Sequence, residues 1–314
     1  MSISTLKFLN GYTMPSLGLG TYLIQGHEGI NIIYQAIKLG YRSIDTASMY
    51  SNEKEVGQAI QRAIVDGIVK REDLFVTTKL YSDDLDPRRV SKAFERSKKN
   101  LQLDYIDLYL IHQPYEFLVH EETHNQPMEL IGWNPERMAN TWKELEKLVE
   151  KKEIRNIGIS NFTVKKMKEF LPSCTIMPVN LQIELHPLLQ QWETLEYCKQ
   201  HNITVTAYFP LGNEASDSLK PLKNSIIRTI AKNHNKTPAQ IVLRWGIQRG
   251  SAVIPKTMHN DRLIENMNIL DFELTEEEMN KIKQIDKGKR LCDFRGCLPG
   301  DNSLEKLWDG EYCN

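Results

Sequence analysis

The stretch G-Y-R-S-I-D-T-A-S-M-Y-S-N-E-K-E-V-G, residues 40–57, decides how the rest of the chain is read. An apolar-leaning run, 41–44, stops at Asp45. Tyr50 follows, and Asn52-Glu53 opens a helical pattern with acidic residues in its first turn. A carboxylate and a phenol therefore sit just past a strand. Alone, an acidic residue between a strand and a helix is usually a cap or a turn former. The arrangement recurs, however: L-F-V-T-T-K ends in Lys79, and Y-I-D-L-Y-L-I-H ends in His112. Parallel strands wound with helices direct their C-terminal ends to one face, where the active sites of β/α barrels lie. Four titratable groups are predicted to converge there.

Upstream, residues 6–9 and 12–14 flank Asn10-Gly11, which predicts a hairpin with a two-residue turn, placed to cap the barrel bottom. Residues 16–22 form a first strand whose glycines, Gly18 and Gly20, allow close backbone approach, and residues 28–39 show helical spacing ended by Gly40. Downstream, strand 42–44 precedes helix 53–65, strand 74–78 precedes helix 87–101, and strand 105–111 precedes helix 135–150. Further strands are predicted at 154–159, 177–181, 203–207 and 251–254, with helices from about Thr163 and over 261–268. Short, apolar, β-branched strands are those of a buried parallel sheet. The fold class predicted is α/β: an eightfold β/α (TIM) barrel with an N-terminal β-hairpin and a long C-terminal tail, as one domain over 1–314.

Three segments break the rhythm: 113–134 with His120 and His124, 208–223, and the tail after Asp286 with Trp308 and Tyr312 as anchors. Long loops in compact domains are commonly functional, so all three are expected over the barrel mouth.

A net charge of −1, with 26% charged residues spread along the chain, gives no basic field for a nucleic-acid backbone. No apolar run reaches the ~18 residues of a membrane span, and the first residues lack a secretory h-region. A cytoplasmic protein, monomeric or weakly dimeric, is expected. Cys174, Cys198, Cys292, Cys297 and Cys313 show neither C-x-x-C spacing nor the density of a disulfide scaffold. Free thiols and no metal centre are expected.

The converging groups suit carbonyl chemistry. A phenol near its ordinary pKa of ~10 donates a proton poorly, and a neighbouring ammonium favours its phenolate. Lys79 is expected to be that ammonium, with Asp45 keeping it charged and His112 donating to an oxygen held beside Tyr50. The hydride source is not a Rossmann-type dinucleotide site, since no G-x-G-x-x-G occurs. Instead Ser160, Asn161 and Gln182 offer hydrogen bonds to an amide-bearing ring, Tyr208 a stacking surface, and Lys256 with Arg262 a phosphate pocket.

G-Y-R-S-I-D-T-A-S-M-Y-S-N-E-K-E-V-G, L-D-Y-I-D-L-Y-L-I-H, I-R-N-I-G-I-S-N-F, V-N-L-Q-I-E-L-H-P and A-V-I-P-K-T-M-H-N-D-R-L-I-E-N together resemble the aldo-keto reductase superfamily over nearly the whole chain. The resemblance implies an aldose-reductase-like, metal-free reducer of small aldehydes or ketones that uses NADPH/NADP, with Tyr50 as proton donor and Asp45, Lys79 and His112 in support. It implies nicotinamide contacts from Ser160, Asn161, Gln182 and Tyr208, and further cofactor contacts from Gly20, Thr21, Tyr22, Asp45, Phe209 and Leu211. It implies adenosine-phosphate contacts from Lys256, Thr257, Arg262, Glu265 and Asn266, and a substrate pocket of Tyr22, Tyr81, His112, Gln113 and Cys292. Where many aldose-reductase-like members carry tryptophans, this chain has Tyr22, Tyr81 and Gln113, so a more polar pocket is expected. Phe209 replaces the serine of Y-S-P-L-G, and the loop 212–223 is shorter, which implies a looser cofactor clamp. Two other readings are a cofactor-binding regulatory barrel without turnover and an enzyme running mainly toward polyol oxidation. The complete set of four groups favours turnover over the first.

Overall fold

The computed structural model describes residues 4–118, 129–212, 220–292, 294 and 303–311. In chain order the strands are β1 (Thr5–Lys7), β2 (Thr13–Pro15), β3 (Leu19–Gly20), β4 (Ser43–Asp45), β5 (Phe75–Leu80), β6 (Leu108–Ile111), β7 (Glu116–Leu118), β8 (Glu129–Gly132), β9 (Ile157–Ser160), β10 (Asn180–Glu184), β11 (Thr204–Tyr208) and β12 (Ser251–Val253). The helices are α1 (Gly26–Leu39), α2 (Glu53–Val65), α3 (Pro87–Leu101), α4 (Pro135–Glu150), α5 (Val164–Phe170), α6 (Trp192–Gln200), α7 (Ser225–Asn233), α8 (Pro238–Gln248), α9 (Asn260–Met267), α10 (Glu276–Lys283) and α11 (Ser303–Trp308).

Eight strands pair in parallel in the order β3-β4-β5-β6-β9-β10-β11-β12. The sheet closes on itself because Leu17 pairs with Val253: Gly18 N–H donates to Val253 O at 2.9 Å, and Val253 N–H donates to Ser16 O at 2.8 Å. This is the expected eightfold β/α barrel. Close approach at the seam is what Gly20 permits, since a Cβ there would lie 2.7 Å from Ile254 O.

Helix bounds follow local chemistry closely. Asp86 caps α3 by accepting from Arg88 N–H, Asn134 caps α4 by accepting from Arg137 N–H, and each helix has proline in its first turn. Gly40 ends α1 at φ 112°.

Seven of the eight barrel strands start one to three residues later than their pattern predicts, and five of these also end one to three residues later, toward the mouth. Residues 177–181 are predicted as the sixth strand, but β10 runs to Glu184. Apolar pattern stops at Leu181 because the mouth layer is polar, while backbone pairing continues whatever the side chains are. The N-terminal turn also differs. Phe8 N–H pairs with Tyr12 O and Gly11 N–H with Phe8 O, leaving a three-residue loop in which Gly11 takes φ +91°. Phe8 and Met14 from this hairpin pack with Phe75, Leu108, Leu110, Val179 and Ala252, sealing the barrel end opposite the mouth.

The connection 113–134 holds a structure its sequence did not announce: β7 pairs antiparallel with β8. His120, His124, Cys297, Cys313, Tyr312 and most of the 212–223 loop lie outside the described residues. Among the described residues, Cys174, Cys198 and Cys292 form no disulfide, and no helix is long and apolar enough to cross a membrane.

The tail is anchored. Leu307 and Trp308 pack with Tyr115 and Phe117 beside the mouth, and Arg290 lies 3.4 Å above the Trp308 ring. The fully buried Lys166 Nζ donates to Lys306 O and Leu307 O, both at 2.9 Å, and to Asp309 Oδ2 at 2.5 Å. Removing one partner of a buried pair costs about 3–5 kcal/mol. Lys166→Met is therefore expected to release α11 before the barrel unfolds, read as faster native-state proteolysis within 303–311 at nearly unchanged Tm. Equal cleavage rates in variant and wild type would refute this anchoring.

Candidate active site

Asp45 closes β4, Lys79 lies within β5, His112 follows β6, and Tyr50 ends a short 3-10 turn after Asp45. The barrel brings all four together. The buried Lys79 Nζ donates to Asp45 Oδ1 at 2.6 Å, to Thr46 O at 2.8 Å and to Tyr50 OH at 3.4 Å. Gln182 Nε2 donates to the other carboxylate oxygen of Asp45 at 2.6 Å, and Thr21 Oγ1 donates to Asp45 O at 2.9 Å. Both oxygens of Asp45 are thus committed, and its lysine is fixed in place.

Electrostatics at this cluster differ in one respect from expectation. Burial pushes the Tyr50 phenol well above its ordinary pKa, and the charge of Asp45 adds to the rise. Lys79 does not bring the phenol down, because its ammonium is shared among three acceptors and its bond to the phenol is the longest of them. Burial also lowers Lys79, against the pull of Asp45. His112 is driven well below 6.5 by burial and then by the charge of Lys79, so the imidazole is neutral at physiological pH. Its Nδ1 is buried without a hydrogen-bond partner among the described residues. The site therefore holds a protonated phenol and a neutral imidazole.

Ser160, Asn161, Gln182 and Tyr208 share one side of the mouth. Ser160 Oγ donates to Gln182 O at 2.9 Å, Asn161 Nδ2 to His112 O at 2.9 Å, and Tyr208 OH to Asn161 Oδ1 at 2.8 Å. Asn161 is held at φ 65°, and Gln182 Oε1 accepts nothing from the described residues. Hydroxyl and amide groups fixed by neighbours, beside an aromatic ring, form a donor and acceptor set suited to a nicotinamide.

Aromatic rings continue around the mouth edge to face. Tyr208 meets Phe209 at 5.4 Å, Phe209 meets Tyr22 at 6.3 Å, Tyr22 meets Tyr50 at 5.1 Å, Tyr50 meets His112 at 5.7 Å, and His112 meets Tyr81 at 5.9 Å. Phe209, which stands where the resembled signature has a serine, bridges Tyr22 and Tyr208 at φ 45°, and Leu211 is half-buried. Gln113 is buried and its Oε1 has no partner among the described residues.

On the far side, Lys256 and Arg262 are exposed near the start of α9, while Thr257 is buried and its Oγ1 accepts from His259 N–H at 3.1 Å. Glu265 Oε1 accepts from Thr237 Oγ1, and Asn266 is buried. The two cations are the outward-facing groups of this set.

Sequence reading passed over Thr46, whose carbonyl holds Lys79, and Glu184, whose carboxylate accepts from the backbone N–H groups of Leu291 and Cys292. The alternation Gln182-Ile183-Glu184 was the available signal, since residues two apart on a strand share a face.

Residues 16–287 match the sequence profile of the Aldo/keto reductase family. The chain is 45% identical to a 9,11-endoperoxide prostaglandin H2 reductase of Trypanosoma cruzi, over 90% of this chain and 91% of that protein. It is 40% identical to an NAD(P)H-dependent D-xylose reductase I,II of Candida tropicalis (93% and 95% covered), and 39% identical to an NADH-dependent D-xylose reductase of Candida parapsilosis (95% and 95%). Among solved structures, the aldose reductase of Schistosoma japonicum superposes with a TM-score of 0.86 at 36% identity, covering 99% of this chain and 98% of the other. A closed eightfold barrel whose mouth gathers Asp45, Tyr50, Lys79 and His112, matched along nearly its whole length by these reductases, places the chain in the aldo/keto reductase family.

Proposed function

We propose that the protein reduces a small aldehyde or ketone to the alcohol, as one barrel domain, with Tyr50 as proton donor and NADPH preferred to NADH. The observation that carries the reading is the Lys79 ammonium bonded at once to Asp45, Thr46 O and the Tyr50 hydroxyl. When bound, the nicotinamide supplies a hydride to the carbonyl carbon. Tyr50 gives its proton to the carbonyl oxygen as that carbon accepts the electron pair. Lys79 then stabilises the phenolate left behind, which matters more than tuning the resting phenol. His112, neutral and a hydrogen-bond donor, polarises the same oxygen and orients the substrate. Ser160, Asn161 and Gln182 hold the carboxamide, and Tyr208 offers the stacking face. Loss of NADPH absorbance with a panel of aldehydes and ketones tests the reading; a barrel that binds NADPH and oxidises none with any carbonyl would be a binding protein instead.

The cofactor preference rests on Lys256 and Arg262. The relatives divide by name between NADH and NAD(P)H, so the choice lies in local charge. The 2′-phosphate adds near-dianionic charge that two cations meet. Both are exposed, so screening trims each contact to about 1 kcal/mol, roughly thirtyfold together in affinity. Lys256→Ala with Arg262→Ala is expected to lose that factor in kcat/KM for NADPH while NADH efficiency barely moves. Equal losses for both cofactors would mean that the cations position the loop rather than read the phosphate.

A further inference from the structure

Asn52 stands directly before α2, where an asparagine ordinarily accepts from a backbone N–H of the first helical turn, yet its side chain makes no such cap. The side chain is instead fully buried and bonded to two other loops. Its Nδ2 donates to Thr21 O at 2.7 Å and to Ile24 O at 2.8 Å, and its Oδ1 accepts from Thr46 Oγ1 at 2.8 Å. Both carbonyls can only accept, so the amide has one orientation that satisfies all three partners. The helix start goes without its usual cap, and the amide serves the barrel mouth.

The bond from Thr46 to Asn52 spans six positions and closes the loop on which Tyr50 sits. Within that loop Tyr50 N–H donates to Ala47 O at 3.0 Å. Ser51 takes a left-handed φ of 56°, a conformation that persists in a residue other than glycine only where its surroundings fix it. The same loop meets Lys79 twice: Thr46 O accepts from Nζ at 2.8 Å, and Ser48 Oγ donates to Lys79 O at 3.0 Å. Thr21 and Ile24, the other partners of the amide, flank Tyr22, whose ring meets that of Tyr50 edge to face at 5.1 Å. The bond of the Tyr50 hydroxyl to Lys79, at 3.4 Å, is too long to hold the ring. Backbone and ring neighbours therefore set where its proton sits, and Asn52 ties both.

We propose that Asn52 is a positioning residue for the proton donor: through Thr46 Oγ1 it keeps closed the loop that presents Tyr50, and through Thr21 O and Ile24 O it keeps the Tyr22 ring against the phenol. The proposal rests on the carbonyl-reductase reading. Asn52 touches neither substrate nor cofactor in this account, and its effect passes through the place of the Tyr50 hydroxyl. A misplacement of about 1 Å at a reacting group costs on the order of 100-fold in rate.

The test measures single-turnover reduction of a simple aldehyde, at saturating aldehyde and NADPH, in wild type, Thr46→Val, Asn52→Ala and each of these combined with Tyr50→Phe. Thr46→Val keeps the shape of the side chain and the carbonyl that Lys79 uses, and removes the hydroxyl that closes the loop. It is expected to lower the rate about tenfold, the weight of one buried hydrogen bond, with KM and NADPH affinity by fluorescence within about threefold of wild type. Asn52→Ala, which frees three partners, is expected to lower the rate about 100-fold. In the Tyr50→Phe background neither change is expected to slow the residual rate more than about twofold, because the hydroxyl they position is already gone. Equal slowing with and without that hydroxyl overturns the proposal, since a general loosening of the site acts alike in both. So does a Thr46→Val rate within about twofold of wild type, or a loss of NADPH affinity in that variant as large as its loss of rate. Should Asn52→Ala fail to fold, Thr46→Val carries the comparison alone. A wild type that oxidises NADPH with no aldehyde removes the reductase reading itself, and this proposal with it.

Discussion

Tyr50→Phe is expected to lower turnover in carbonyl reduction at least about 100-fold, the usual scale for a positioned acid, with NADPH affinity nearly unchanged. Phenylalanine keeps the ring packed edge to face between Tyr22 and His112 and removes only the hydroxyl that Lys79 reaches at 3.4 Å. The loss should therefore fall on kcat rather than on the fold or on cofactor binding. Single-turnover rates beside a cofactor titration separate the two; turnover within about threefold of wild type would remove Tyr50 as the donor. A pH profile adds a second check. Burial holds the phenol well above 10 and the His112 imidazole well below 6.5, so neither group titrates in between. The wild-type rate of the reduction step is thus expected to show no break from Tyr50 or His112 between about pH 7 and about pH 9, above the one pKa and below the other.

Lys79→Met is expected to cost as much activity and, unlike Tyr50→Phe, stability as well. The ammonium is fully buried and has Asp45, Thr46 O and the phenol as partners. Methionine fills the space but leaves the Asp45 carboxylate with Gln182 and no cation, a loss of about 3–5 kcal/mol for a buried pair broken on one side. Catalysis loses the charge that steadies the phenolate, at least about 100-fold. Denaturant unfolding together with kcat measures both. A variant as stable and as fast as wild type would show that the cluster is neither a structural nor a catalytic unit.

Much of this site was legible in sequence because barrel geometry converts order along the chain into convergence in space. Asp45 ends its strand, Lys79 is one residue short of the end of its own, and His112 follows a third, and parallel strands leave them no choice of face. Helices α3 and α4 were readable to the residue because capping side chains and prolines fix their starts locally, and α2, which has no side-chain cap, because acidic residues open its first turn. Other features depend on what folding brings near. That β10 runs on to Glu184 is a matter of ladder hydrogen bonds from β11, which polar side chains neither make nor prevent. The pairing of β7 with β8 joins segments on either side of a long connection, where no local signal reports it. The balance at Tyr50 depended on depth: neighbours pointed to a lowered phenol, whereas burial, invisible in sequence, raises it. Glu184 stood in plain view as an alternation partner of Gln182, yet its pairing needed the tail, 107 residues on, to arrive at its carboxylate.

The most direct test of carbonyl reduction with Tyr50 as donor is a turnover experiment with NADPH deuterated at the transferring position of nicotinamide C4, followed by mass spectrometry of the alcohol from a simple aldehyde. A single deuterium on the former carbonyl carbon for each NADPH oxidised, formed by wild type and lost in parallel with rate in Tyr50→Phe, is the expected result. NADPH oxidation without deuterium in the product, or labelled alcohol formed equally fast by the Tyr50→Phe variant, would contradict it.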